Sequence, residues 1–231
     1  MNRLKEVLDT NTPAIAVPIL AETTDEIITD LPNYVDAFEL RADVYDPANA
    51  HALIQKRLGN LAVLPTLLTV RSAKEGGFWQ GSEAERLSLI KSLITEVDGI
   101  DIELGSAIAA EVIAEAHENN KVVVGSYHNF TDTPSTWTLD KLASKASELE
   151  VDYIKVATTV TRQRELMRLT DFTFDQAVHS AIPPISVAMG PYGPISRVTL
   201  PFYGSRLTYA SADANPVANG QLGYKQTRAL L

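Results

Sequence analysis

A lysine in the middle of an apolar run is the first residue to explain. In DYIKVAT, Lys155 stands between Ile154 and Val156, and an ammonium so flanked must be either paired or neutral. Held neutral by burial and by neighbouring cations, it is a nucleophile for carbonyl carbon. One run earlier, SYHNF presents His128, a base that titrates close to neutrality. The two residues complete a set. The lysine condenses with a ketone, the protonated imine acidifies the adjacent carbon, and the histidine removes that carbon's proton. Further charges interrupt other apolar runs: Glu39 and Arg41 two apart, Arg71, Asp101 and Glu103 two apart, and Arg197 a few residues into the loop expected after Met189. Residues two apart on a strand share a face. Arginines on such faces hold an anion by two-pronged pairing with its carboxylate, so the residues point to Schiff-base chemistry on a small oxo-acid. The plainer account for any one of these charges is a structural ion pair. His51, His117 and His179 fall within helical patterns and read as solvated or packing residues.

The elements that must position these groups recur regularly. Runs rich in Val and Ile begin at Ala14, Ala37, Leu67, Gly99, Val122, Tyr153, Ile185 and Leu207, a mean spacing of about 28 residues, which suits a strand, a crossover helix and two loops. Near-continuous apolar strands are those buried on both faces. Between them lie helix starts, with Thr23 and Glu26 and then Ser82 and Glu85 spaced as capping boxes. Single apolar stripes run through ERLSLIKSLI, SAIAAEVIAEAHE and TLDKLASKASEL. Eight such units without a break in composition predict an α/β chain folded as one (β/α)8 TIM barrel over residues 1–231, with 1–13 as an N-terminal extension. In that fold chemistry collects at the C-terminal ends of the strands.

Composition excludes several classes. With 231 residues, 45% hydrophobic and 21% charged, the chain is neither disordered nor collagenous. Twenty basic against 29 acidic residues give a net charge of −9, the opposite of a nucleic-acid binder. The absence of cysteine excludes disulfides, a thiolate zinc site and a cysteine nucleophile, and no His/Cys spacing suggests a metal. No apolar run approaches the roughly 18 residues of a membrane span, and MNRLKEVLDTNTP has no apolar signal core. The expectation is a cytoplasmic protein with a small-molecule ligand, no metal or cofactor, and neither nucleic acid nor membrane as partner.

Six ordered motifs carry a resemblance: ELRADVYD at Glu39, TVRSAKEGG at Thr69, DIELG at Asp101, VVGSYHNFTDTP at Val123, DYIKVAT at Asp152 and SVAMGPYGPISR at Ser186. Together they resemble the type I 3-dehydroquinate dehydratases from the first strand to the last loop. The resemblance implies a (β/α)8 barrel, usually a homodimer, that dehydrates 3-dehydroquinate to 3-dehydroshikimate in the shikimate pathway of aromatic amino-acid biosynthesis, without cofactor. It implies Lys155 as the imine lysine, His128 as general acid and base, and Glu75 as the residue orienting the histidine. Glu39, Arg41 and Arg71 match positions holding ring hydroxyls and neighbouring charges. Arg197 matches the carboxylate clamp, Met189 an apolar wall, and Gln221 the lid glutamine. The family's lid reads S-A-P-G-Q, whereas this chain has Val217, Ala218, Asn219, Gly220 and Gln221. A serine donor is therefore missing, for which Ser211 and Asn219 are the candidates. For the lysine to attack, burial beside arginine and histidine is expected to lower its pKa. A class I aldolase, with its lysine on the same strand, and a catalytically idle protein binding a cyclic hydroxy acid are the competing readings.

Overall fold

Eight strands, buried along most of their length, form one parallel sheet: β1 (Ala14–Ile19), β2 (Ala37–Arg41), β3 (Thr66–Thr69), β4 (Gly99–Glu103), β5 (Val122–Asn129), β6 (Tyr153–Thr159), β7 (Pro184–Met189) and β8 (Leu207–Tyr209). The computed structural model describes residues 2–10, 12–212 and 218–231, so Val217 of the lid lies outside the described residues. Strands pair in the order β7-β6-β5-β4-β3-β2-β1-β8. The ends of that order approach each other through two bonds, the Arg206 N–H to the Pro184 carbonyl at 2.9 Å and the Ser186 N–H to Ser205 Oγ at 2.9 Å. The result is the nearly closed (β/α)8 barrel that the sequence pattern predicts.

An N-terminal helix, α1 (Arg3–Leu8), precedes the barrel, and each strand is followed by a helix: α2 (Asp25–Asp30), α3 (Ala50–Leu61), α4 (Glu83–Leu93), α5 (Ala109–Glu118), α6 (Thr136–Glu148), α7 (Gln163–His179), α8 (Gly193–Thr199) and α9 (Tyr224–Leu230). The crossover helices bury stripes at helical spacing, as in α5, where Ala109, Val112, Ile113 and Ala116 face the sheet. The Ser82 to Glu85 capping box forms on both sides. The one expected at Thr23 does not: the cap is Thr24, whose hydroxyl accepts from Ile27 N. The Thr23 hydroxyl instead accepts the Leu20 N–H at 3.0 Å and holds the turn leaving β1. Helix α5 starts at Ala109 rather than Ser106, because residues 106–108 are spent on a turn around the Ser106 hydroxyl. None of the helices among the described residues is long and apolar enough to cross a membrane.

Inside the barrel the side-chain period of two sorts residues by height. Near the N-terminal ends of the strands the interior is apolar, with Ala14, Leu67, Val122, Ile185 and Leu207 in one cluster. The N-terminal extension supplies its plug, since Leu4 and Leu8 of α1 are fully buried in that cluster. Asn2 caps α1 and ties it to the barrel by donating to the Asp98 carbonyl at 2.7 Å. Two residues further along β2, β4 and β6 from Ala37, Gly99 and Tyr153 the interior turns charged, at Glu39, Asp101 and Lys155. Because the plug and the charged layer lie at opposite ends, they separate experimentally. Leu4→Ala should destabilise the protein by about 2–5 kcal/mol, read from urea unfolding, while ligand binding at the far end is unchanged.

Candidate active site

The charged layer opens into a cavity of about 400 Å³ at the C-terminal mouth of the barrel. The nine residues that the resemblance assigns to the site, Glu39, Arg41, Arg71, Glu75, His128, Lys155, Met189, Arg197 and Gln221, line it, whereas Asp101 and Glu103, the other charges noted on the strands, do not. They come from four of the strands, β2, β5, β6 and β7, and from the loops and helix beyond the strands, so strand period and barrel closure together make the convergence.

Lys155 sits opposite Ser126 across the β5–β6 ladder, and His128 is two residues further along β5 on the same face. The Lys155 ammonium donates to Asp101 Oδ2 at 2.9 Å and to Glu39 Oε1 at 3.3 Å. Burial opposes its charge, but the two carboxylates outweigh burial and hold its pKa above the ordinary lysine value. This corrects the expectation of a depressed pKa: between the two ways of burying an ammonium, this protein pairs it. Asp101 in turn accepts from Arg71 Nη2 and from Ser126 Oγ, each at 2.6 Å. Despite burial, Arg71 and Lys155 keep its carboxyl well below the usual range.

Arg71 lies two residues past the end of β3 rather than on it. Its guanidinium reaches Asp101, Glu103 and Ser126, and Glu103 also takes a short contact from Arg86. Arg41 is chelated by Asp43 through two bonds of 2.9 and 2.8 Å. Both arginines are therefore satisfied within the protein.

Glu75 is delivered by a tight 3-10 turn, Ala73–Glu75, which the Ser72 hydroxyl caps. The two glycines that follow explain the turn. Gly76 has φ +76 beneath the Phe130 ring, and a Cβ on Gly77 would lie 2.0 Å from the Arg71 carbonyl. The Glu75 Oε2 atom accepts the His128 backbone N–H at 2.8 Å and meets Nδ1 at 3.0 Å. An oxygen already accepting a backbone proton makes Nδ1 the protonated nitrogen and leaves Nε2 as the free base. Burial, with Arg71 and Lys155 adding to it, pushes the imidazole well below its usual pKa. Burial also pushes Glu75 up to about 7, Arg71 countering and Glu103 adding. The pair is a neutral base on a carboxyl that titrates near neutrality.

Arg197 is not in a loop, as expected from sequence, but in α8, and it is buried. Its Nε donates to the Gly220 carbonyl at 3.0 Å and its Nη1 to the Tyr209 carbonyl at 3.1 Å. Nη2 has no partner among the described residues. With no carboxylate to answer it, burial pulls its pKa down to about 10. A buried cation still protonated at neutral pH, with an open donor on a cavity, is a receptor for an anion. Through Gly220 it also anchors the lid, whose turn is closed by Gln221 Oε1 accepting the Ala218 N–H at 3.1 Å. Of the two candidates for the missing serine, Asn219 lines the cavity. Ser211 is buried beneath it, its backbone paired with Leu222 and Tyr224.

Sequence reading missed Arg86 and Tyr209. Arg86 occupies the first place of the buried stripe Arg86, Leu89, Ile90 and Leu93 of α4, and a charge at a stripe position is the signal that could have found it. Tyr209, inside the run LTYAS, reads as ordinary core yet lines the cavity. Among the described residues no group of three or more His, Asp or Glu side chains is placed to hold a metal ion.

The chain is 32% identical to a 3-dehydroquinate dehydratase of Methanosarcina barkeri over 97% of its own length and 96% of the relative's. Its structure matches the 3-dehydroquinate dehydratase of Geobacillus kaustophilus with a TM-score of 0.87 at 28% identity, covering 95% of this chain and 90% of that one. It matches the type I 3-dehydroquinate dehydratase of Clostridium difficile with a TM-score of 0.85 at 25% identity, covering 94% and 91%. The family model for type I 3-dehydroquinase matches residues 15–231, from the first strand to the end of the chain, and the chain belongs to that family.

Proposed function

We propose that this protein dehydrates 3-dehydroquinate to 3-dehydroshikimate through an imine on Lys155, a step of the shikimate pathway. The observation that carries this is the approach of Lys155 and His128 to one cavity from neighbouring strands, beside a guanidinium that lacks a carboxylate partner. The Clostridium difficile relative was solved with covalent modified comenic acid, which accords with a site able to bond covalently to a small ring acid.

In this reading the substrate carboxylate takes the open donor of Arg197, and Gln221 closes over it with the lid. Glu39, Arg41 and Arg71 line the ring's polar side, and Met189 its apolar side. Lys155 rests as an ammonium, so it must shed a proton before attack. His128, neutral at rest, is the acceptor. The amine adds to the ring ketone, water leaves, and the iminium becomes the electron sink for the adjacent carbon. His128 Nε2 then takes the proton from that carbon and returns it to the hydroxyl as it departs, and hydrolysis of the product imine restores the lysine. Glu75 holds the imidazole tautomer throughout and stabilises the imidazolium.

Three tests follow. Borohydride reduction with substrate should add mass at Lys155, found by peptide mapping. His128→Ala should still trap slowly but turn over orders of magnitude less. Trapping on another lysine, or near-normal turnover of His128→Ala, contradicts the mechanism. The base must be neutral to act, so kcat/KM should fall as pH drops through the depressed His128 pKa. That acid limb should be centred below 6.5, the ordinary histidine value, and a limb centred above it opposes the assignment. Finally, truncating one partner of a buried charge-assisted pair costs roughly 2–5 kcal/mol. Arg197→Ala should therefore lower kcat/KM at least tenfold, about 1.4 kcal/mol or more, with Arg197→Lys recovering part. A value within threefold of the unaltered protein removes the clamp.

A further inference from the structure

Tyr209 is the group in the pocket that the mechanism above leaves unused. It ends β8, is buried, and lines the cavity. Its ring centroid lies 4.3 Å from Lys155 Nζ, and its backbone carbonyl accepts from Arg197. The residue thus stands between the reacting nitrogen and the anion-binding guanidinium. Its hydroxyl is buried and, although the Lys155 ammonium lies close enough to act on it, makes no hydrogen bond of ordinary geometry among the described residues. Burying a hydroxyl without a partner is destabilising, and a phenylalanine would fill the same space against the ammonium without that penalty. An unsatisfied hydroxyl on a residue that lines a cavity is explained when its partner arrives with the ligand.

Beside Lys155 Nζ the chemistry specifies one oxygen that needs such a donor. When the lysine adds to a ketone, the nitrogen lone pair forms the C–N bond and the C=O π pair moves onto oxygen. That oxygen takes up the proton the nitrogen sheds. It then leaves as water with a second proton while the nitrogen pair closes the C=N bond. Hydrolysis of the product imine runs the same steps backwards.

Resting on the imine reading, we propose that the Tyr209 hydroxyl donates a hydrogen bond to this oxygen, stabilising it as charge develops and holding it until it leaves as water. Tyr209 is then a catalytic residue of imine formation and hydrolysis, while His128 carries the protons. The phenol itself transfers none and stays protonated. Burial, with Glu39 and Asp101 adding and Lys155 opposing, keeps it above its usual pKa, so it remains a donor at neutral pH.

Tyr209→Phe tests this, because it removes one oxygen and leaves both the ring and the carbonyl that anchors Arg197. In single-turnover mixing of enzyme with 3-dehydroquinate, quenched by borohydride, the rate at which adduct accumulates on Lys155 should fall at least tenfold. The steady-state kcat should fall with it, while KM stays within about twofold. The melting temperature should be unchanged or higher, since the hydroxyl makes no hydrogen bond of ordinary geometry among the described residues. A wild-type trapping rate in the variant overturns the proposal. So does a raised KM at unchanged kcat, which would make the hydroxyl a ground-state contact, and so does a clearly lower melting temperature, which would reveal a partner in the free protein. Failure of the unaltered enzyme to be trapped at all would instead sink the imine reading, and this proposal with it, so the two failures are told apart.

Discussion

An ammonium buried inside a barrel has to be answered by negative charge, and the answer given to Lys155 organises the rest of the mouth. Asp101 and Glu39 pair with it, but each carboxylate brought inside carries its own desolvation penalty. Asp101 is compensated by Arg71 and the Ser126 hydroxyl, Arg71 in turn by Glu103, and Glu103 by Arg86 from the helix outside the sheet. The charge layer is a chain of such compensations from the barrel axis to α4. Breaking any link would leave a buried ion uncompensated, which is why these residues act as a unit.

Against that balanced layer, the two exceptions are informative. Of the four buried side-chain atoms that lack a hydrogen-bond partner among the described residues, Arg197 Nη2 and the Tyr209 hydroxyl belong to residues that line the cavity, and the other two are on Tyr45 and Arg206. A protein that satisfies Arg41 with Asp43 and Arg71 with two acids has not left these two groups for want of acidic residues. In the proposed reading they mark where the ligand's own polar atoms complete the site, and they lie on the β7–β8 side, across the barrel from Arg71 and Glu103. The lid joins them, since Arg197 holds Gly220 while Gly220 packs against Gly193 at the start of α8, where a Cβ on either glycine would lie under 3 Å from the other's backbone. On the proposed function, substrate anchoring and lid position are thus read by the same side chain.

Much of this was legible in the sequence. Strand period, the spacing of eight apolar runs and charges two apart on a face were enough to give the barrel, to place Lys155 and His128 on neighbouring strands, and to point to seven of the nine residues that the fold gathers round one cavity. These are local properties: alternation along a strand fixes which side chains face inward, and closure of any such barrel brings inward-facing residues of equal height together. The family motifs added Glu75 and Gln221, which lie on turns where no period speaks for them.

Tertiary structure decided the rest, because charge state and partnership depend on neighbours distant in sequence. The sequence requires Lys155 to be paired or neutral. Only the arrival of Asp101 and Glu39, 54 and 116 residues away, settles that it is paired and its pKa raised. Arg86 and Arg197 are similar guanidiniums near the mouth, but the fold gives Arg86 two glutamates and a carbonyl, and Arg197 two carbonyls and, among the described residues, an open edge. Tyr209 looks like core in its own strand and becomes a pocket residue because β8 closes the barrel beside β1, bringing its ring to Lys155 on β6. A pattern of residue types determines which groups are present on a face. Burial and distance, which set desolvation and Coulomb energy, determine what each of them is able to do there.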